Sequence, residues 1–219
     1  MARAPRSIDI LRLLDAPLAA KPFGHVIVPR FVRSDWLSPV MGDFPPVPER
    51  GSYPVGVTQF GPAFAALLDD LRSADMRAAA EGKFGIDLAD RPMMITVRGC
   101  LALGDGRVHT DTATKLVTML IYVNETWSDP GGRLRLLRSA DLDDYAVEVP
   151  PVDGTLVMFR PSRQSLHGHL PAVGPRRVIQ VNWLVDDRVR RREEIRHTIS
   201  YWSKSVRHAL RPGQHKDAA

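Results

Sequence analysis

From residue 93 onward the chain alternates short apolar runs with clusters of Gly, Pro, Asp and Ser. The runs are MMITVRGCLALG (93–104), KLVTMLIYVN (115–124), GRLRLLRS (132–139), YAVEVP (145–150), GTLVMFRP (154–161), SLHGHLPAV (165–173) and RRVIQVNWLV (176–185). Seven such runs with turn residues between them predict an antiparallel sandwich or jelly roll. Before residue 93 the period is helical. Phe64, Leu67, Leu68 and Leu71 form a stripe within 62–83, and Ser73 is placed to split that segment into two helices. A helix is expected over 7–18, a strand bent at Pro29 over 24–32, a helix N-capped by Ser34, and a Pro/Gly-rich loop over 44–56. After residue 185 the helical period returns, with Ile195, Ile199, Trp202 and Val206 on one stripe and arginines on the other faces. That helix is expected to pack its apolar stripe on the body and leave a basic back in solvent. Contact with nucleic acid or another anionic partner is the alternative. The end, RPGQHKDAA (211–219), is expected to fray.

The 219 residues suit one domain, with 1–92 as mostly helical support, 93–185 as a β core and 186–210 as a basic amphipathic helix. The net charge of +5 says little about the body, because residues 186–219 hold nine Lys/Arg against five Asp/Glu. No apolar run approaches the ~20 residues of a membrane span. The basic N-terminal segment is interrupted by Arg12, Asp15 and Pro17, unlike a secretory leader, so a cytoplasmic location is expected. The single cysteine, Cys100, excludes an internal disulfide and a zinc site of several thiolates. It reads as a small buried hydrophobe.

Candidate chemistry lies in the β half. In HTDTATKLVTMLIYVN (109–124), His109 and Asp111 are two residues apart, so in an extended segment both project to one side. A His-x-Asp pair alone is also an ordinary strand entrance. SLHGHLP adds a further imidazole, from His167 or His169. Two imidazoles and one carboxylate would bind a cation on one face and leave positions open, the donor set of non-haem Fe(II) oxygenases.

From about Arg98 to Val185 the sequence resembles the iron(II)/2-oxoglutarate-dependent oxygenases of the prolyl-4-hydroxylase-like group. The matching features, in the family's order, are HTD, KLVTMLIYVNETW, DPGGRLRLL, PPVDGTLVMF, SLHGHLP and GPRRVIQVNWL. The resemblance implies a mainly β fold, a double-stranded β-helix (cupin-like jelly roll) braced by N-terminal helices and a C-terminal helix, with 93–185 as the catalytic core. It implies Fe(II) held by His109, Asp111 and His167, the last within a Ser-x-His-Gly pattern, with 2-oxoglutarate and O2 as cosubstrates and ascorbate as a reductant. A basic residue nine or ten positions after the distal histidine would hold the cosubstrate's far carboxylate, so Arg176 or Arg177 is implied. Arg176 is preferred, which would turn Val178, Gln180 and Asn182 inward and Ile179, Val181 and Trp183 toward the helices. Tyr122, helped by Thr118, would offer hydroxyls to the same carboxylate. His169, Lys115, Arg98, Arg177 and Trp127 are candidates for substrate or outer contacts, and Arg107 and Arg160 border the expected opening.

The implied reaction hydroxylates an unactivated C–H bond of a small molecule or an amino-acid or peptidyl side chain, with succinate and CO2 as co-products. The presence of Asp111 disfavours halogenation, which needs that position open. The rival is a cupin-type metal-binding jelly roll acting as an isomerase, a 2-oxoglutarate-independent dioxygenase or a sensor. It would not require the basic pair at 176–177. Residues 44–60 and 104–114 are the expected specificity loops.

Overall fold

The computed structural model describes residues 6–47 and 49–209, with side chains through residue 199. The expected fraying of 211–219 and the side chains of Trp202 and Val206 lie outside the described residues.

The first half supplies helices α1 (Ile10–Asp15), α2 (Ser34–Gly42), α3 (Pro62–Leu71) and α4 (Ala74–Phe84), with strands β1 (His25–Val28) and β2 (Tyr53–Pro54) between them. Helix α1 is shorter than the apolar pattern suggests. Ser7 is taken by the Asp70 carboxylate, Ile8 bridges Val32, and Asp9 caps the first turn by accepting the Arg12 amide. Helix α2 is capped by Arg33 rather than Ser34, because the Arg33 carbonyl already accepts the Trp36 and Leu37 amides. Ser73 does divide the long helical stretch, its hydroxyl accepting the Met76 amide at the start of α4.

The second half adds β3 (Met93–Leu101), β4 (Lys115–Tyr122), β5 (Leu134–Leu137), β6 (Tyr145–Val149), β7 (Leu156–Phe159), β8 (His167–Gly168) and β9 (Gly174–Leu184). All pairings are antiparallel. A six-stranded sheet runs β1-β7-β4-β9-β3-β2, and a three-stranded sheet runs β6-β5-β8. The protein is mainly β, a double-stranded β-helix braced by helices.

Strand alternation divides the apolar side chains into two cores. Val117, Met119 and Ile121 of β4 and Ile179, Val181 and Trp183 of β9 leave the sheet on one side and pack against the helices. Tyr122, Val157, Phe159 and Val178 leave on the other and meet Leu134, Leu136 and Val149 of the small sheet.

The C-terminal helix, α5 (Asp187–Ala209), departs from the expected packing. It lies near β2, β3 and β9. Its body-facing positions include Val189, Glu193 and His197, whereas Ile195 and Ile199 are 60% and 64% exposed. The neighbouring surface is polar: His197 lies close to the main chain of Ser52 and to Arg98. That surface selects the helix's polar side. Among the described residues no helix is long and apolar enough to cross a membrane.

Trp183 is fully enclosed between β9 and the helices. Trp183→Ala is expected to lower stability by about 3–5 kcal/mol, read as a shift in the urea midpoint.

Candidate metal centre

A pair of main-chain hydrogen bonds sets the site. The His109 amide donates to the His167 carbonyl and the His167 amide to the His109 carbonyl, each at 3.0 Å. This isolated antiparallel bridge places the two side chains opposite one another, with ring centroids 4.3 Å apart. Each ring then has its tautomer fixed by a main-chain carbonyl two residues earlier. His109 Nδ1 lies 2.8 Å from the Arg107 carbonyl, and His167 Nδ1 lies 2.9 Å from the Ser165 carbonyl. A carbonyl oxygen only accepts, so each Nδ1 carries a proton and Nε2 is the nitrogen each ring has left to offer a cation.

Asp111 follows His109 on the same side. One ligand atom from each of His109, Asp111 and His167 lies within 4.8 Å of the others. The carboxylate is held from both ends: Lys115 Nζ contacts Oδ1 at 2.5 Å and Thr118 Oγ1 contacts Oδ2 at 2.5 Å. Burial pushes the Asp111 carboxyl up, but the Lys115 ammonium and the two hydrogen bonds outweigh it and hold it below the usual carboxylate range. Thr118 has one proton, which goes to the acceptor-only carboxylate. Its 3.0 Å contact with the Asn182 amide is therefore made with that amide turned to present an N–H, which also gives a partner to an otherwise orphaned buried Nδ2. Burial, with help from His109, pushes His167 down to about 4, so its imidazole is neutral near pH 7. Two imidazoles and a carboxylate are the donor set that suits a divalent transition metal.

The opposite end of the cavity is cationic. Arg176 is 5% exposed; its Nη2 lies 3.4 Å from the Tyr122 hydroxyl and its guanidinium sits over the Tyr122 ring at 5.1 Å. Its Nε is buried and has no hydrogen-bond partner. Burial pushes the Tyr122 hydroxyl up, so it stays protonated. Arg98 of β3 and His169 line the same cavity. The His169 Nδ1 donates to the Leu170 carbonyl at 2.8 Å, and burial followed by Arg176 lowers its basicity.

Alternation on β9 turns Arg176, Val178 and Gln180 toward the cavity. Arg177 falls on the other face, beside Pro175 and Phe44, with its amide bound to Asn124 Oδ1, and lies outside the cavity. Trp127 is also outside the cavity, its indole N–H donating to the Gly131 carbonyl. Thr118 lines the cavity, but its hydroxyl serves Asp111 rather than the arginine end. Lys115 contacts Asp111 directly instead of reaching into the mouth. Arg107 is exposed and contributes its carbonyl, and Arg160 borders a separate surface pocket on the outer side of Asp111. Ser52, which accepts a hydrogen bond from Arg98 Nε at 2.9 Å, carried no sequence signal, since 46 residues separate the two. The Lys115–Asp111 pair was foreshadowed only by its four-residue spacing.

Residues 99–185 match the family described as the 2OG-Fe(II) oxygenase superfamily. No curated protein sequence matches the chain significantly. Among solved structures, the chain is similar to a prolyl-4-hydroxylase from Pseudomonas putida, with 19% identity and a TM-score of 0.58, covering 84% of this chain and 97% of that one. It is also similar to a prolyl hydroxylase from Trichoplax adhaerens solved with a hypoxia inducible factor oxygen degradation domain peptide fragment. There the identity is 19% and the TM-score 0.55, covering 80% of this chain and 88% of that one.

The buried, neutral His167 links stability to pH. Its folded value, about 4, lies below the ordinary 6.5, so between those values the unfolded chain binds the extra proton. The contribution is complete above pH 6.5 and is lost as pH falls toward 4, a change of roughly 3 kcal/mol. Urea unfolding of the metal-free protein at pH 7 and 4.5 is expected to show a loss of that order, with a smaller loss in His167→Gln.

Proposed function

We propose that residues 99–185, which match the 2OG-Fe(II) oxygenase superfamily, form an oxygenase domain using Fe(II), 2-oxoglutarate and O2, and that this chain hydroxylates an unactivated C–H bond of a small molecule or of an amino-acid or peptidyl side chain. One observation carries the reading. The His109–Asp111–His167 set shares a cavity with Arg176, a buried guanidinium whose Nε lacks a partner.

His109 and His167 would offer Nε2, and Asp111 an oxygen, to Fe(II). When bound, the metal, 2-oxoglutarate and O2 supply the oxidising chemistry: the cosubstrate loses CO2 to give succinate, and one oxygen atom enters a C–H bond. The chain's own part is orientation. The two histidine tautomers are fixed by main-chain carbonyls, and Lys115 and Thr118 hold the Asp111 carboxylate so that it need not reorganise.

Arg176 is the group that would bind the distal carboxylate of 2-oxoglutarate. Burying that guanidinium beside a phenol, with no carboxylate in contact among the described residues, is costly unless an anion completes it. The Tyr122 hydroxyl already accepts from Arg176, so its own proton is left to donate to the same carboxylate. Leu120, Leu134 and Val178 supply apolar walls between the two ends, where they exclude water and strengthen both charged contacts. The prolyl hydroxylase neighbours make a prolyl ring one substrate to test, and the fold itself leaves the substrate open.

Iron- and substrate-dependent conversion of 2-oxoglutarate to succinate is the test. Asp111→Ala is expected to cut turnover by about 100-fold or more, since even outer-sphere partners of metal ligands are worth 10–100-fold. Arg176→Ala is expected to raise the KM for 2-oxoglutarate by about 30-fold or more through loss of a buried charge pair. Arg177→Ala should leave that KM within about twofold, as for a surface charge. Turnover at the wild-type level in Asp111→Ala would sink the metal-ligand reading.

A further inference from the structure

The cavity has one more guanidinium than the cosubstrate needs. Arg98 on β3 lies opposite Val178 of β9, and Val178 lies opposite Tyr122 of β4, so Arg98, Val178 and Tyr122 form one lateral row across the sheet. All three line the cavity together with Arg176, which is two residues from Val178 on the same strand face. The two guanidinium groups repel one another across this row.

Neither has a carboxylate within ion-pairing distance among the described residues. The candidate carboxylates are engaged elsewhere. Asp111 is taken by Lys115 and Thr118. Asp105, the other acid near Arg98, pairs with Arg50 at 3.2 Å through Oδ1 and accepts the Ala102 amide at 2.9 Å through Oδ2. Binding of 2-oxoglutarate by Arg176 would neutralise the deeper of the two cations. Arg98 would remain, half-buried and without a carboxylate partner among the described residues, and a ligand could supply the opposite charge.

Position separates the roles. Arg176 is enclosed and tied to Tyr122. Arg98 is only half-buried, and its Nε is fastened to the Ser52 hydroxyl in one of the expected specificity loops, with Asp105 of the other beside it. The Ser52 contact takes Nε and leaves the two Nη groups, a planar fork whose parallel N–H bonds match the two oxygens of a carboxylate.

We propose that Arg98 is the specificity-determining residue of this site and that the substrate is a small carboxylic acid, bound through its carboxylate at Arg98 with a C–H bond presented to the metal end. A prolyl residue inside a peptide, flanked by neutral amides, lacks the charge this position asks for. The inference rests on the oxygenase reading above, because it assigns Arg176 to the cosubstrate.

Calorimetric titration tests it on the protein loaded with Zn(II), which replaces iron without turnover, and with saturating 2-oxoglutarate. The probe is propionate, with propionamide as its neutral isostere. Propionate is expected to bind at least about tenfold more tightly than propionamide, as a charge-assisted pair is worth about 1.5–3 kcal/mol. Arg98→Gln and the bulkier Arg98→Met should abolish that preference while leaving 2-oxoglutarate affinity within about twofold, and Arg98→Lys should restore part of it. Indifference of the wild type to the probe's charge would overturn the carboxylate assignment alone. So would a tenfold loss of 2-oxoglutarate affinity in both neutral variants with propionate binding unchanged, because Arg98 would then serve the cosubstrate. Failure of the wild type to bind 2-oxoglutarate at all would remove the oxygenase reading and this inference with it.

Discussion

The reciprocal main-chain bonds between His109 and His167 are the constraint on which the site depends. The segment around His109 is not a regular strand, and β8 is only two residues long. Each is held in place by its neighbours: β8 pairs with β5 through Leu136 and Arg135, and His109 pairs with β8. Gly168 permits the close approach, because a Cβ there would lie 2.7 Å from the Gly106 carbonyl oxygen. Bonds of the main chain therefore fix the two rings, and side-chain rotamers have little left to decide.

From that bridge, order passes along Asp111 into β4 and β9. Lys115 and Thr118 grip the carboxylate from the first turn of β4, and Asn182 of β9 supports Thr118 from the neighbouring strand. The same two strands present Met119, Ile121, Val181 and Trp183 to the helices on their other face. A rigid apolar face on one side thus supports an expensive polar face on the other. Arg176, with a buried nitrogen left unpaired, marks where stability yields to ligand binding.

Much of this was legible because it follows from period two. The inward side of β9 could be read once Arg176 was set facing inward, and Val178, Gln180 and the outward Ile179, Val181 and Trp183 follow in step. The seven strand-like runs mark β3 to β9 for the same reason. What was not legible depends on contacts distant in sequence. Nothing near Arg98 announces Ser52, nothing in the Pro/Gly-rich loop announces β2, and Thr118 looked like a partner of Tyr122 until the chain brought Asp111 within 2.5 Å of it. Trp127 and Arg177 show the converse. Both stand near site residues in sequence, but a turn and one step of alternation carry them away.

Helix α5 illustrates how tertiary context overrides an amphipathic pattern. Its isoleucine stripe suggested an inward face, and burying it would bring apolar surface against the Ser52 loop and the Arg98 guanidinium. Such contact would strip water from those polar groups without replacing their hydrogen bonds, at a cost comparable to the gain from two isoleucines. His197 instead lies beside the Ser52 main chain, while the Ser52 hydroxyl accepts from Arg98 Nε. The C-terminal helix thus lies, outside the matched core, against the loop whose serine hydroxyl holds Arg98 Nε at the cavity.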